Sequence, residues 1–140
     1  MTKWYLASPF FNEKEIEAVE TVENILKEKG IDFWSPRKHQ YFQLEAGSQE
    51  WSMATYMNDV KALDFCVGTV MVYHGNYSDS GTAFEAGYTI ARGKPLIVVH
   101  VGEASNLMIH TPALANLTVD ELKAYDFEVL PDKEYTGAMF

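Results

Sequence analysis

This chain predicts a doubly wound α/β fold over residues 1–140, with a five-stranded parallel sheet flanked by helices. Three observations carry that expectation. Short apolar strands alternate with longer segments of helical period in the order β-α-β-α-β-α-β. Residues 65–73 form a nearly continuous apolar run, the mark of a parallel strand covered on both faces. Polar and acidic residues gather just past the expected strand ends, where open α/β sheets bind their ligands.

The elements follow in order. Residues 3–7 hold Trp4, Tyr5 and Leu6 and run into Ser8-Pro9, which gives a first, central strand. Asn12 is a favoured N-cap, Glu15 completes a capping box, and Phe11 and Ile16 flank the cap as a hydrophobic staple. Ile16, Val19, Val22 and Leu26 keep helical period up to Gly30, a natural stop. Residues 31–34 make a second short strand closed by Ser35-Pro36. Residues 36–48 have no clean period, and a loop of about a dozen residues in a compact fold is usually functional or disordered. Its aromatics and amides favour function. A helix is expected over 49–63, with Asn58-Asp59 near its last two turns, and then the strand over 65–73, which holds Cys66. A loop over 74–80 leads to a helix from Gly81 or Thr82 to Arg92, stopped at Gly93, and to a strand over 96–101. Asn106-Leu107-Met108 reads as a short helical turn and 119–125 as a short helix capped by Thr118. Residues 127–130 are expected to be the fifth strand and 131–140 an irregular tail.

A formal net charge of −9 argues against binding nucleic acid or an anionic membrane through a basic face, because no Lys/Arg cluster exists to neutralise phosphates. Cys66 is the single cysteine, so no intrachain disulfide forms, and its place in an apolar segment suits an inert core thiol. No apolar run approaches the roughly 20 residues of a membrane span and no secretory signal opens the chain, so a soluble, cytoplasmic protein is expected. The four histidines lack metal-ligand spacing and no Walker or dinucleotide-type glycine loop occurs, so neither metal nor cofactor is assigned.

The chemistry concentrates in Asp79-Ser80-Gly81-Thr82-Ala83-Phe84-Glu85. Glu85 falls in the opening turns of a helix, where the positive end of the macrodipole favours an ionised carboxylate. Such a carboxylate is a competent nucleophile toward a sugar carbon; the plainer reading is a helix-start Glu. Asp79 reads equally as an N-cap, Asp59 as part of a solvated helix face, Asn106 as a cap and Tyr5 as core. A buried Tyr5 hydroxyl nevertheless needs a partner. Phe10 is freer than Phe11 to serve as a stacking surface.

Together these segments resemble the nucleoside 2-deoxyribosyltransferases over nearly the whole chain. The matching pieces are Tyr5-Leu-Ala-Ser-Pro-Phe-Phe, Ser35-Pro-Arg with Gln40, Tyr56-Met-Asn-Asp59, Asp79-x-Gly-Thr-Ala-x-Glu85-x-Gly, Gly93-Lys-Pro, Asn106-Leu-Met and the final Gly137-Ala-Met-Phe. The resemblance implies a flavodoxin-like fold and exchange of nucleobases on 2-deoxyribose through a covalent deoxyribosyl-Glu85 intermediate. Asp79 and Asp59 would then handle the base, Tyr5 would orient Glu85, and Gln40 and Phe10 would hold the base. Asn106 and Met108, with the terminal Phe140, complete the substrate site, Asn106 reaching in from a neighbouring copy of a homo-oligomer, a dimer and in some cases a hexamer. The family commonly ends in Tyr, so Phe140 removes a phenol and leaves the terminal carboxylate. Two other readings stand beside this one. One is an N-glycosidase that hydrolyses deoxynucleosides or their 5′-monophosphates; the other is a non-catalytic flavodoxin-like ligand-binding module. A phosphoacceptor receiver lacks support, because Ala7-Ser8-Pro9 and Tyr73-His74 stand where its acids belong.

Overall fold

A computed structural model describes residues 2–75 and 79–139. Its main sheet has five parallel strands: β1 (Lys3–Ala7), β2 (Asp32–Trp34), β3 (Gly68–Tyr73), β4 (Leu96–His100) and a short edge strand, β6 (Ala115–Leu117), in the order β2-β1-β3-β4-β6. Between them run α1 (Glu13–Glu28), α2 (Gln49–Phe65), α3 (Ser80–Ala91) and a one-turn α4 (Leu107–His110), and α5 (Val119–Ala124) follows β6. A minor parallel pair joins β5 (Ala104–Ser105) to β7 (Ala138–Met139). Among the described residues no helix is long and apolar enough to cross a membrane.

The central strands are buried on both faces, and their alternation sorts the core into two clusters. Trp4, Leu6, Val70, Val72, Ile97 and Val99 pack with Val19, Val22, Leu26 and Leu122 under α1 and α5. Tyr5, Ala7, Met71, Tyr73, Leu96 and Val98 pack with Ala62, Leu63 and Ala86 under α2 and α3. Period-2 alternation therefore decides that Tyr5 points to the α2–α3 side. Gly68 opens β3 because a Cβ there would sit 2.6 Å from the Trp4 ring and 2.7 Å from the Pro95 carbonyl.

The caps are those the sequence announces. Asn12 accepts from Glu15 N–H at 2.9 Å, and Glu15 reaches back to Phe11 N–H. Thr118 and Glu121 form a complete capping box. Gly30 closes α1 with a positive φ of 71°.

Four expectations need correction. Residues 127–130 are not a strand; the fifth strand is Ala115–Leu117. Asp126 accepts from the Glu128 and Val129 N–H groups, Leu130 takes φ 54°, and Phe127 turns inward to pack edge-on against Trp4 and Tyr125. This local turn satisfies the backbone that a strand would have paired. Residues 65–67 are not strand either. Phe65 is the last, exposed residue of α2 and Cys66 its buried C-cap, because a short apolar run does not separate a helix end from a strand start. Burial pushes the Cys66 thiol up to about 11, consistent with an inert core residue. The tail is not wholly irregular, since β7 pairs with β5. Phe11 is 77% exposed, so it lies on the surface at the start of α1 rather than being buried by a staple.

Lys94 closes the C-terminal end of α2. Its ammonium donates to the carbonyls of Leu63, Asp64 and Cys66 at 2.9, 2.6 and 2.7 Å. It thereby satisfies helix-end acceptors and opposes the negative end of the dipole. Lys94→Met is expected to lower stability by about 1.5–3 kcal/mol, read as a lower urea midpoint at unchanged slope. An unchanged midpoint would show that solvent satisfies those carbonyls equally well.

Candidate active site

The chain leaves β1 toward β2 on one side of the sheet and returns to β3 on the other. The carboxyl ends of β1 and β3 therefore flank a crevice of the kind that binds ligands in open α/β sheets. A cavity of about 620 Å³ lies there. Its walls come from the segment after β1 (Ser8 to Phe11), the turn after β2 (Pro36 to Gln40), one stripe of α2 and the start of α3. Of the residues singled out in the sequence, Phe10, Gln40, Asp59, Asp79 and Glu85 line this one cavity.

Each side chain is placed by a local cause. Asp79 is the N-cap of α3, its Oδ2 accepting from Thr82 N–H at 2.9 Å and from the Thr82 hydroxyl at 2.8 Å. The plain capping role is therefore real, and it also fixes the carboxylate at the cavity wall. Glu85 is one helical step further along the 79, 82, 85 face. Its carbonyl accepts from the Thr89 hydroxyl, which lies 2.6 Å from that of Thr69 in β3, so this turn of α3 is pinned to the sheet by two buried threonines.

Beneath Glu85 lies Tyr5, fully buried on β1, whose hydroxyl donates a hydrogen bond to Glu85 Oε2. Burial first, and then the neighbouring Glu85 charge, hold the phenol far above its ordinary value, so it keeps its proton and acts as donor.

The electrostatics overturn one expectation. A helix-start position was expected to keep Glu85 ionised; instead its carboxyl is pushed up to about 8. Desolvation is the main cause, the Tyr5 hydrogen bond opposes it, and the charges of Asp59 and Asp79 add to it. Glu85 is the sixth residue of α3, beyond the first turn where the dipole acts strongly, and burial wins. Asp59 is likewise not on a solvated face. It is partly buried, and desolvation raises its carboxyl to about 6.

Gln40 donates its amide to the Arg37 carbonyl at 2.8 Å. Arg37 in turn grips the buried Glu23 of α1 through Nε at 3.1 Å and Nη2 at 2.6 Å, which ties the turn after β2 to the helix below it. Asn106 and Met108 do not line the cavity. Asn106 caps α4 by accepting from Met108 N–H, and Met108 is 73% exposed. Phe140 lies outside the described residues, as do residues 76–78 of the turn before Asp79.

Two further residues, not among the sequence-predicted site residues, Trp51 and Thr55, line the cavity beside Asp59. Their signal was the spacing 51, 55, 59, one stripe of a helix. Among the described residues no cluster of three or more His, Cys, Asp or Glu is placed to hold a metal ion. The site is thus an acidic pocket in which one carboxylate is gripped by a buried phenol, and two more share the same walls.

Comparison with known proteins agrees over the length of the chain. The nucleoside 2-deoxyribosyltransferase family model matches residues 4–126. The chain is 29% identical to a nucleoside deoxyribosyltransferase of Limosilactobacillus fermentum, covering 99% of this chain and 89% of that one. It is 26% identical to that of Lactobacillus leichmannii, covering 97% and 96%. Its fold is similar to the solved 2-deoxyribosyltransferase of Bacillus psychrosaccharolyticus at a TM-score of 0.91 and 36% identity, over 96% of this chain and 100% of that one. A likeness to a Leishmania mexicana 2-deoxyribosyltransferase at a TM-score of 0.56 and 19% identity bears on the fold alone. On this match, which takes in β1, the cavity and α3, the chain belongs to the nucleoside 2-deoxyribosyltransferase family.

Proposed function

We propose that this protein exchanges nucleobases on 2-deoxyribose by two displacements at C1′, with Glu85 as the nucleophile. The supporting observation is the Tyr5–Glu85 hydrogen bond at the floor of a cavity whose walls also carry Asp59 and Asp79. In the first step an ionised Glu85 oxygen bonds to C1′ as the bond from C1′ to the base nitrogen breaks. The base leaves with its electron pair and takes a proton from Asp79, with Asp59 also facing the base. In the second step the nitrogen of a new base attacks C1′, gives its proton to Asp79, and frees Glu85. Two inversions give net retention.

In this reading Tyr5 holds Glu85 in line, and Phe10 and Gln40 hold the base. Asn106 of a neighbouring copy binds the 5′-hydroxyl end of the sugar, and Met108 and the terminal Phe140 complete the substrate site. Crowding around C2′ disfavours an added hydroxyl, a preference worth roughly 10²-fold rather than an absolute exclusion. Water replacing the second base would give hydrolysis instead.

Incubation with one deoxynucleoside and a different free base, resolved chromatographically, tests the reading. A new deoxynucleoside is the expected product; free deoxyribose alone would make the protein a hydrolase, and no turnover would leave a binder. Glu85→Ala is expected to lower exchange by at least about 10³-fold while retaining a native near-ultraviolet spectrum. Substantial residual exchange removes Glu85 from its role.

The shared site has its own test. Mixtures of Glu85→Ala and Asn106→Ala protein, dissociated and reassembled together, are expected to recover activity well above either variant alone. No recovery would confine each site to one chain.

Stability must also respond to pH in a stated direction. The unfolded Glu85 titrates near its ordinary value of 4.5 and the folded one at about 8. Between these values the folded state holds a proton that the unfolded state has released, so stability falls as pH rises, by up to about 1.4 kcal/mol per unit. Glu85→Gln is expected to flatten this slope, making the variant more stable relative to wild type at pH 8.5 than at pH 5 by urea denaturation. Equal differences at the two pH values would refute the burial argument.

A further inference from the structure

Tyr5, Trp34 and His39 form a run of stacked rings from beneath the cavity to its wall. Tyr5 and Trp34 are direct partners in the β1–β2 ladder, their ring centroids 5.5 Å apart and their planes 22° from parallel. His39 lies on Trp34 at 4.4 Å and 3°. His39 and Gln40 line the cavity, whereas Trp34 does not. Trp34 is partly buried against the core on the Tyr5 side of the sheet. The turn that carries His39 is held from below by the Arg37–Glu23 pair, so one end of the stack is anchored to α1 and the other ends in the phenol that grips Glu85.

Offset stacked rings attract each other beyond what their burial contributes. That is enough to favour one placement of the Tyr5 ring over its neighbours. Placement matters because the hydroxyl sits at the end of the ring, and a hydrogen bond weakens steeply once its angle is lost. A void at position 34 would let the phenol pivot away from the carboxylate.

We propose that Trp34 is a positioning residue for the Tyr5–Glu85 pair, carrying the placement of the His39 turn to the phenol that orients the nucleophile. The catalytic meaning rests on the reading of Glu85 given above; the mechanical link from Trp34 to Glu85 does not.

The test reads Glu85 directly, without turnover. Protein labelled with ¹³C at the glutamate carboxyl is titrated in the absence of ligand, and the Glu85 resonance is identified by its loss in Glu85→Gln. The wild-type midpoint is expected near 8. Tyr5→Phe raises it, because the lost hydrogen bond favoured the charged form. Trp34→Leu is expected to raise it by about one unit, tenfold in proton affinity, and Trp34→Phe, which keeps a ring, to restore most of the wild-type value. Leu122→Ala, a truncation in the core on the opposite face of the sheet, lowers stability and leaves the midpoint in place. His39→Ala sits on an exposed residue and is expected to raise the midpoint in the same direction as Trp34→Leu.

An unmoved midpoint in Trp34→Leu overturns the proposal, as does one that moves no further than in Leu122→Ala. Should Trp34→Leu not fold, an unmoved midpoint in His39→Ala overturns it alone. Base exchange by the same proteins separates the two claims. A wild type that exchanges no base while the midpoints shift as stated sinks the enzymatic reading and leaves the positioning link. An active wild type with an unmoved Trp34→Leu midpoint sinks the link alone.

Discussion

The site depends on the hydrogen bond from a fully buried phenol to a carboxylate that has lost most of its water. Desolvating a carboxylate is costly, and the group answers by binding its proton more tightly. Two further acids in the same walls increase that cost. Among the described residues, the Tyr5 hydroxyl is the group that lowers the proton affinity of Glu85. Without a donor at that point the carboxyl would spend still more of its time protonated, and a protonated carboxyl is a poor nucleophile.

The fold is arranged so that this bond forms. Residue 5 faces α2 and α3 because it sits at an odd position of β1, and a one-residue slip of that strand would send Trp4 into the site instead. Glu85 meets it because α3 starts at the Asp79 cap and is pinned to β3 by the Thr69–Thr89 pair. Asp59 meets it because α2 is long enough to run past the cavity and is closed by the ammonium of Lys94. Three separate backbone devices, a register, an N-cap and a cationic C-cap, therefore converge on three carboxyl groups and a phenol. Trp34 and His39 add a side-on constraint that none of these supplies.

How much of this was legible in the sequence follows from which forces are local. Asn12, Thr118 and Gly30 act within a few residues of themselves, and the helix ends they announce are where the structure has them. Apolar periodicity made β1, β3 and β4 visible because both faces of those strands are buried. It failed at β6, whose middle residue is the polar Asn116, bonded to the His110 and Lys133 carbonyls and to His100. A strand built around an amide carries no apolar signature, while Phe127 and Val129 mimic one. Phe10, Gln40, Asp79 and Glu85 were legible through their positions after strand ends, and Asp59, which lies within α2, only through the family pattern. The stripe of Trp51, Thr55 and Asp59 was present in the spacing but not decidable, because nothing local says which face of α2 turns inward.

The protonation of Glu85 is the point at which sequence logic and structure part most sharply, and the difference bears on the chemistry. A dipole argument treats position 85 as near an electropositive helix start, but the field of a helix end fades within a turn, whereas desolvation acts on every buried atom. Near neutral pH a carboxyl at about 8 rests mostly with its proton, while Asp59 at about 6 rests mostly without one. The environment thus sets the two acids apart in the way that assigns distinct roles to paired carboxyls. In the proposed reaction the balance must invert: Glu85 has to be charged as C1′ turns cationic, and a proton has to be on hand for the departing base. Transfer of the resting proton from Glu85 to the Asp59–Asp79 side meets both needs without an outside acid. In the proposed reaction, the burial that makes Glu85 a reluctant anion at rest would also load the site with the proton that the leaving base requires.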